Sequence, residues 1–155
     1  MYGKILLPVD DLESAGLAIS NVKEMAGSND THVILFHVVA PEKPLVMHDG
    51  HLGGVQTAAD VYEVAKHDEA KNVEEQTKVM QAAAEELNAA GLNVTSQVVV
   101  GNAPTEIVRA VNEQGIDLVV ISTHGRRGVS RAFLGSVADE VMRGLEIPVM
   151  VVRRS

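Results

Sequence analysis

One stretch of the sequence indicates the fold more than any other: DLVVISTHGRRGVSRAFLGS, residues 117–136. It begins with an apolar run typical of a buried β-strand, continues as a basic loop containing glycine, and precedes an amphipathic segment that begins near Val137. A helix N-terminus exposes unpaired backbone N–H groups and the positive end of the helix dipole. A strand, loop and helix start of this composition therefore predict a phosphate cradle, most simply for a nucleotide.

Similar apolar runs recur along the chain and alternate with helical patterns. Those rich in β-branched and aliphatic residues predict strands at Lys4–Val9, His32–Val39, Asn93–Val100, Leu118–Ser122 and Val149–Arg153. Amphipathic patterns ended by Gly predict helices at about Ser14–Ala26, Ala58–Ala90, Pro104–Gln114 and Ser136–Arg143, with Leu17, Val22 and Met25 as core contacts of the first. Near-continuous apolar strands are typical of a parallel sheet that helices cover on both faces.

The strand ends suggest the order of the sheet. Ligands of open α/β sheets bind beyond the carboxyl ends of the strands, where the strand order reverses. The first strand ends in Pro8-Val9-Asp10 and the fourth in Ser122-Thr-His-Gly125. If both ends serve one ligand, the two strands are neighbours, which favours the order 3-2-1-4-5 over the flavodoxin-like 2-1-3-4-5. We predict a Rossmann-like, open five-stranded parallel sheet of that order, with helices on both faces.

Composition narrows the class of protein. A chain of 155 residues is most simply one domain, residues 1–155. A net charge of −8 argues against a nucleic-acid binder, and the absence of cysteine excludes disulfides and thiol chemistry. No apolar run approaches the ~18 residues of a membrane span, and the N-terminus has no signal-peptide pattern. These features predict a cytoplasmic protein with no membrane and no nucleic-acid partner.

Several polar segments permit two interpretations. Three arginines in the basic loop, Arg126, Arg127 and Arg131, either attract a phosphate or are solvated. The aperiodic segment from Ala40 to Val55 predicts a long loop of the kind that often forms a lid. The histidines and aspartates His48, Asp49, His51, His67 and Asp68 are predicted to be solvated and to bind no metal, because a glycine-rich loop is a poor preorganised site. His32 and His37, within an apolar strand, are predicted to be structural.

At these motifs the chain resembles the universal stress proteins, and among them the branch that binds ATP. That branch carries Gly-x2-Gly-x9-Gly-Ser/Thr after its fourth strand, and this sequence has Ser122-x2-Gly125-x9-Gly135-Ser136. The segments Pro-Val-Asp, residues 8–10, and Leu-Phe-His-Val, residues 35–38, also fall where similar segments fall in the family. The resemblance covers essentially the whole length and implies an adenine nucleotide alpha hydrolase-like fold.

The resemblance implies roles for particular positions. Asp10 resembles the carboxylate that meets the nucleoside, and Val9 and Val38 resemble backbone contacts to adenine. The glycines of the motif resemble its phosphate and ribose contacts, and Ser136 is expected both to donate to phosphate and to cap the helix. The full set of implied cofactor-binding residues is Pro8, Val9, Asp10, Val38, Ile121, Ser122, His124, Gly125, Gly135, Ser136 and Val137. The implied cofactor is ATP or another adenine nucleotide, with or without Mg²⁺.

Two positions depart from the family pattern. Ser122 stands where the first glycine of the motif is usual, and the usual Asp-x-Ser after the first strand reads Asp10-Asp11-Leu12. Ser122 is small and can donate a hydrogen bond, whereas Asp11 adds a negative charge that disfavours a nearby phosphate. From the residues alone, Asp10 could equally cap a helix or form an Asx-turn, and Gly125 and Gly135 could serve turns and close packing.

The functional prediction is a regulatory ATP-binding module of the stress response, with no catalytic residue identified. Neither a P-loop nor a Rossmann dinucleotide motif is present, and no set of residues for ATP hydrolysis can be named. Two alternatives stay open: a dimeric interaction protein with a degenerate nucleotide site, and a slow ATP hydrolase. The apolar last strand, Pro148–Val152, predicts a homodimer formed by antiparallel pairing of two copies of this edge strand.

Overall fold

The computed structural model describes residues 2–10, 12–26, 30–42, 58–123 and 135–153, and it contains strands and helices in strict alternation. The elements are β1 Lys4–Pro8, α1 Leu12–Ala26, β2 His32–Val39, α2 Ala58–Ala89, β3 Asn93–Val100, α3 Ala103–Gln114, β4 Leu118–Thr123, α4 Ser136–Gly144 and β5 Val149–Arg153. Each predicted strand and helix is present, and every boundary lies within two residues of its prediction. The largest difference is at α1, which begins at Leu12 rather than Ser14.

The strands form one parallel sheet in the order β3-β2-β1-β4-β5, which confirms the predicted order. β1 lies at the centre, between β2 and β4, and its residues Ile5, Leu6 and Leu7 are buried. Successive side chains of a strand point to opposite faces, so a strand covered on both faces must be apolar throughout. This requirement explains why β1 is apolar from Ile5 to Pro8.

The core consists of two layers, one on each face of the sheet. Ile5 and Leu7 of β1 belong to the layer that α1 and α2 cover, and Leu6 belongs to the layer under α3 and α4. Of the predicted α1 core residues, Val22 is buried and Met25 packs against the first layer; the side chain of Leu17 lies outside the described residues. Among the described helices, none is long and apolar enough to cross a membrane.

Candidate functional site

The carboxyl ends of β1, β2 and β4 lie side by side at one edge of the sheet. Pro8 is the last residue of β1, and Val9 and Asp10 follow it directly. Val38 is the penultimate residue of β2, and Ile121 and Ser122 lie near the end of β4. β1 pairs with both neighbours, Pro8 with Phe36 and Leu6 with Val119. The pairing of β1 with β4 ends at Leu6 and Val119, and both strands continue past it toward the same end of the sheet, where the candidate residues lie.

The start of α4 places three more candidate residues. Gly135 is the N-cap, and its carbonyl accepts a hydrogen bond from the Asp139 N–H over 3.0 Å. Ser136 and Val137 are the first two helical residues. The expectation that Ser136 caps the helix is therefore wrong, because the first helical carbonyl acceptor is that of Gly135. Ser136 lies one residue inside the helix and is exposed.

A glycine N-cap leaves the first turn of α4 without a side-chain acceptor. At α3, in contrast, the Asn102 side chain accepts from the Thr105 N–H over 3.3 Å. Most helices satisfy their first N–H groups with such a cap or with another acceptor. Among the described residues, no side chain caps the N–H groups at the start of α4, and the helix dipole favours an acceptor there that is negatively charged.

Neither the backbone nor the packing of the described residues requires glycine at position 135. Its φ is −55° and its ψ is 150°, which any residue can adopt. No described atom lies within 4 Å of where a Cβ would stand. Gly101 and Gly144 differ, since a Cβ there would come within 3 Å of Glu106 and Val108, respectively. The space beside Gly135 allows close approach of a ligand to the backbone.

Some of the predicted site residues are not among the residues that the structure describes. His124, Gly125 and the three arginines of the basic loop lie outside the described residues, as does most of the predicted loop between Ala40 and Val55. Asp10 is described and exposed. Of the residues weighed as metal ligands, only His67 and Asp68 are described, and both are exposed on α2. Within the described ranges, no group of three or more His, Cys, Asp or Glu residues could hold a metal ion.

Sequence reasoning missed a contact between two strands at this edge. The Nδ1 atom of His37 lies 2.6 Å from the carbonyl oxygen of Val9. A partly buried imidazole needs a hydrogen-bond partner, so a histidine in an apolar strand was a signal that some polar group stands beside it. The sequence could not identify that group, because it belongs to the backbone of another strand.

His32 is the first residue of β2 and lies at the amino-terminal ends of the strands, opposite the candidate site, where its contacts stabilise the fold. Its Nε2 atom lies 2.9 Å from the Thr95 hydroxyl oxygen. Burial lowers the pKa of His32, and the positive charge of Lys4 lowers it further. Nearby, Lys4 Nζ donates to the Gln114 carbonyl, and Asp117 accepts from the Gly3 and Lys4 N–H groups. These contacts connect elements at the amino-terminal ends of the strands, whereas the candidate site lies at the carboxyl ends.

The lowered pKa of His32 predicts a loss of stability in mild acid. An unfolded histidine gains its proton near a pH of about 6.5, whereas folded His32 stays neutral to lower pH. The stabilisation is therefore complete above that pH and decreases as the pH falls toward the folded pKa. We expect His32→Gln to flatten the free energy of unfolding between about pH 7 and 5, measured by denaturant titration.

The sheet order and the helices on its two faces define a doubly wound α/β protein, in which ligands bind beyond the strand ends. The chain belongs to the universal stress protein family, whose sequence profile matches residues 1–153. Universal stress protein MJ0577 of Methanocaldococcus jannaschii is 32% identical over 157 residues, covering 99% of this chain and 96% of that protein. The solved structure of MJ0577 matches at a TM-score of 0.78 and 30% identity, over 100% of this chain and 98% of that one.

Two more distant universal stress proteins have been solved with a nucleotide. One, in complex with cAMP, is 20% identical at a TM-score of 0.58 and covers 99% of this chain and 98% of its own. The other, from Archaeoglobus fulgidus and in complex with dAMP, is 20% identical at a TM-score of 0.59, with 97% of each chain covered. At this identity the likeness shows the shared fold alone.

Proposed function

We propose that this universal stress protein is a regulatory module that binds ATP, or another adenine nucleotide, beyond the carboxyl ends of β1, β2 and β4. The observation that carries the proposal is the start of α4. Its N-cap is a glycine that packing among the described residues does not require, and no described side chain caps its first N–H groups. A phosphate oxygen can approach such a backbone closely and accept its hydrogen bonds.

The other candidate residues have complementary chemistry. The exposed Asp10 carboxylate can accept hydrogen bonds from ribose hydroxyls or from the adenine amino group. The Val38 backbone lies at the same end of the sheet and can contact the base. We assign Val9 to packing contacts with the base, because its N–H and its carbonyl already have hydrogen-bond partners. Ser136 can donate its hydroxyl proton to a phosphate, and we assign His124 and Gly125 to the same group of phosphate contacts. The cAMP and dAMP complexes of distant family members support adenine nucleotides as the ligand class.

Calorimetric titration with ATP at millimolar Mg²⁺ tests this function. We expect measurable heat and a raised Tm, because a ligand that binds only the folded state stabilises it. Asp10→Ala should weaken binding by on the order of tenfold or more, which is typical for loss of a charged hydrogen-bond partner. Asp30→Ala removes an equally exposed carboxylate near the opposite edge of the sheet and should bind ATP normally. Absence of both heat and stabilisation in the wild type would contradict the proposal.

We further propose that the protein is a homodimer that pairs through β5. Both β5 and β3 are edge strands. β3 carries Thr95, Ser96 and Gln97 at its middle, whereas the residues Val149–Val152 of β5 are all apolar and partly exposed. An open apolar edge strand is a template for pairing, and antiparallel pairing across a two-fold axis would cover it.

A further inference from the structure

The contact between His37 and Val9 fixes the proton on the imidazole. A carbonyl oxygen only accepts hydrogen bonds, so Nδ1 of His37 must carry the proton in the 2.6 Å contact. In the neutral ring this leaves Nε2 without a proton. The Val9 N–H also has a partner, the Phe36 carbonyl at 2.9 Å. Both polar groups of Val9 are therefore held from the β2 side, one by backbone and one by a side chain.

The hydrogen bond from the His37 side chain to the Val9 carbonyl takes the place of a backbone hydrogen bond between β1 and β2. Pro8 pairs with Phe36, so the next pair along the register is Val9 and His37. In a parallel ladder, the Val9 N–H bonds to Phe36, as observed, and the Val9 carbonyl would next accept from the Val38 N–H. Among the bonds between described residues, none joins the Val38 N–H to the Val9 carbonyl, which accepts from His37 instead.

The alternation of hydrogen bonds along β2 determines where the N–H and the carbonyl of Val38 point. Alternate residues of a parallel strand bond to opposite neighbours. Phe36 accepts from β1, and the Val39 carbonyl accepts from Gly101 on the β3 side, at 3.0 Å. Val38 therefore directs its N–H and its carbonyl toward the β1 side, beyond the last ladder bond. Such a donor and acceptor match the ring nitrogen and the amino group along the edge of adenine.

We infer that His37 is a positioning residue for adenine: by holding the Val9 carbonyl, it ends the β1–β2 ladder one bond early and leaves the Val38 backbone open to the base. This inference rests on the proposed function. Without the imidazole, the Val9 carbonyl would turn to the Val38 N–H and close the ladder. Guanine places an oxygen acceptor where adenine has its amino donor, so the open Val38 backbone should also favour ATP over GTP.

The test compares ATP and GTP binding by calorimetry in the wild type, His37→Leu and His37→Asn. Leucine cannot donate to Val9, whereas the asparagine amide nitrogen stands at about the reach of Nδ1. We expect His37→Leu to lower ATP affinity about three- to tenfold, the effect of one hydrogen bond, and to leave GTP affinity unchanged. His37→Asn should restore most of the preference for ATP. This specificity readout separates a positioning role from a general structural one.

The outcomes are distinguishable from failure of the proposed function. A wild type that binds no ATP contradicts both ideas, whereas one that binds ATP and GTP equally contradicts only the role of His37. Equal loss of both nucleotides in His37→Leu, or an unchanged ratio, also overturns the inference. If that variant does not fold, amide exchange in the wild type decides. The Val38 amide should exchange faster than that of Phe36 and be slowed by ATP, and equal protection of the two in the free protein overturns the inference.

Discussion

Gly135→Ser is expected to stabilise the folded protein and to weaken ATP binding. Serine is a favourable N-cap, and its hydroxyl oxygen can accept from the first-turn N–H groups of α4 that glycine leaves uncapped. No described atom lies within 4 Å of the added Cβ, and the backbone conformation suits any residue. We expect the free energy of unfolding to change by a few tenths of a kcal/mol, in the stabilising direction.

The same hydroxyl competes with a phosphate for the N–H groups, and the Cβ occupies the space through which a phosphate would approach. We expect ATP affinity to fall by on the order of tenfold or more, since several hydrogen bonds to a charged group are affected. Calorimetry measures the affinity, and denaturant titration without nucleotide measures the stability. A change of the two quantities in opposite directions cannot arise from general damage to the fold.

Gly16→Ala provides the matched control. Gly16 lies inside α1 and is exposed, and no described atom lies within 4 Å of where the alanine Cβ would stand. Alanine there should stabilise the protein by about 0.5–1 kcal/mol through helix propensity and leave ATP affinity unchanged. Wild-type ATP affinity in Gly135→Ser would show that the open start of α4 is not the phosphate site.

The sequence predicted the fold well because its strands carry strong, local signals. The stretches Ile5–Leu7 of β1 and Leu118–Ile121 of β4 are apolar and buried since both faces of the sheet are covered, and the C-cap of α3 is Gly115, whose φ of 63° favours glycine. The order of the strands required a functional argument, that the ends of β1 and β4 serve one ligand. Sheet order depends on contacts distant in the chain, which periodicity alone does not encode.

The candidate site was predictable only in part. The spacing of Gly135 and Ser136 located the start of α4, but which of them is the N-cap depends on backbone angles, and Ser136 was assigned wrongly. The contact between His37 and Val9 joins a side chain to a backbone carbonyl 28 residues away. No residue pattern specifies such a contact, because every residue has a carbonyl. It is determined by the register of β1 against β2.

Val151→Glu is expected to convert the proposed dimer into monomers. Met150 and Val152 of β5 pack against the core layer under α1 and α2, and Val149 packs against the opposite layer. Val151 pairs with Ile121 of β4 and stays partly exposed. A carboxylate at this position can be solvated in a monomer. In a two-fold pairing of β5 strands it would be buried in both copies.

Burial of unpaired charge is strongly unfavourable, so the dimer dissociation constant should rise by on the order of a hundredfold or more. Light scattering across a concentration series measures this directly. Val100→Glu is the matched control, because it places the same charge on the other edge strand at a residue that is 37% exposed. That variant should remain dimeric. A monomeric wild type, or a dimeric Val151→Glu variant, would show that β5 does not form the contact between copies.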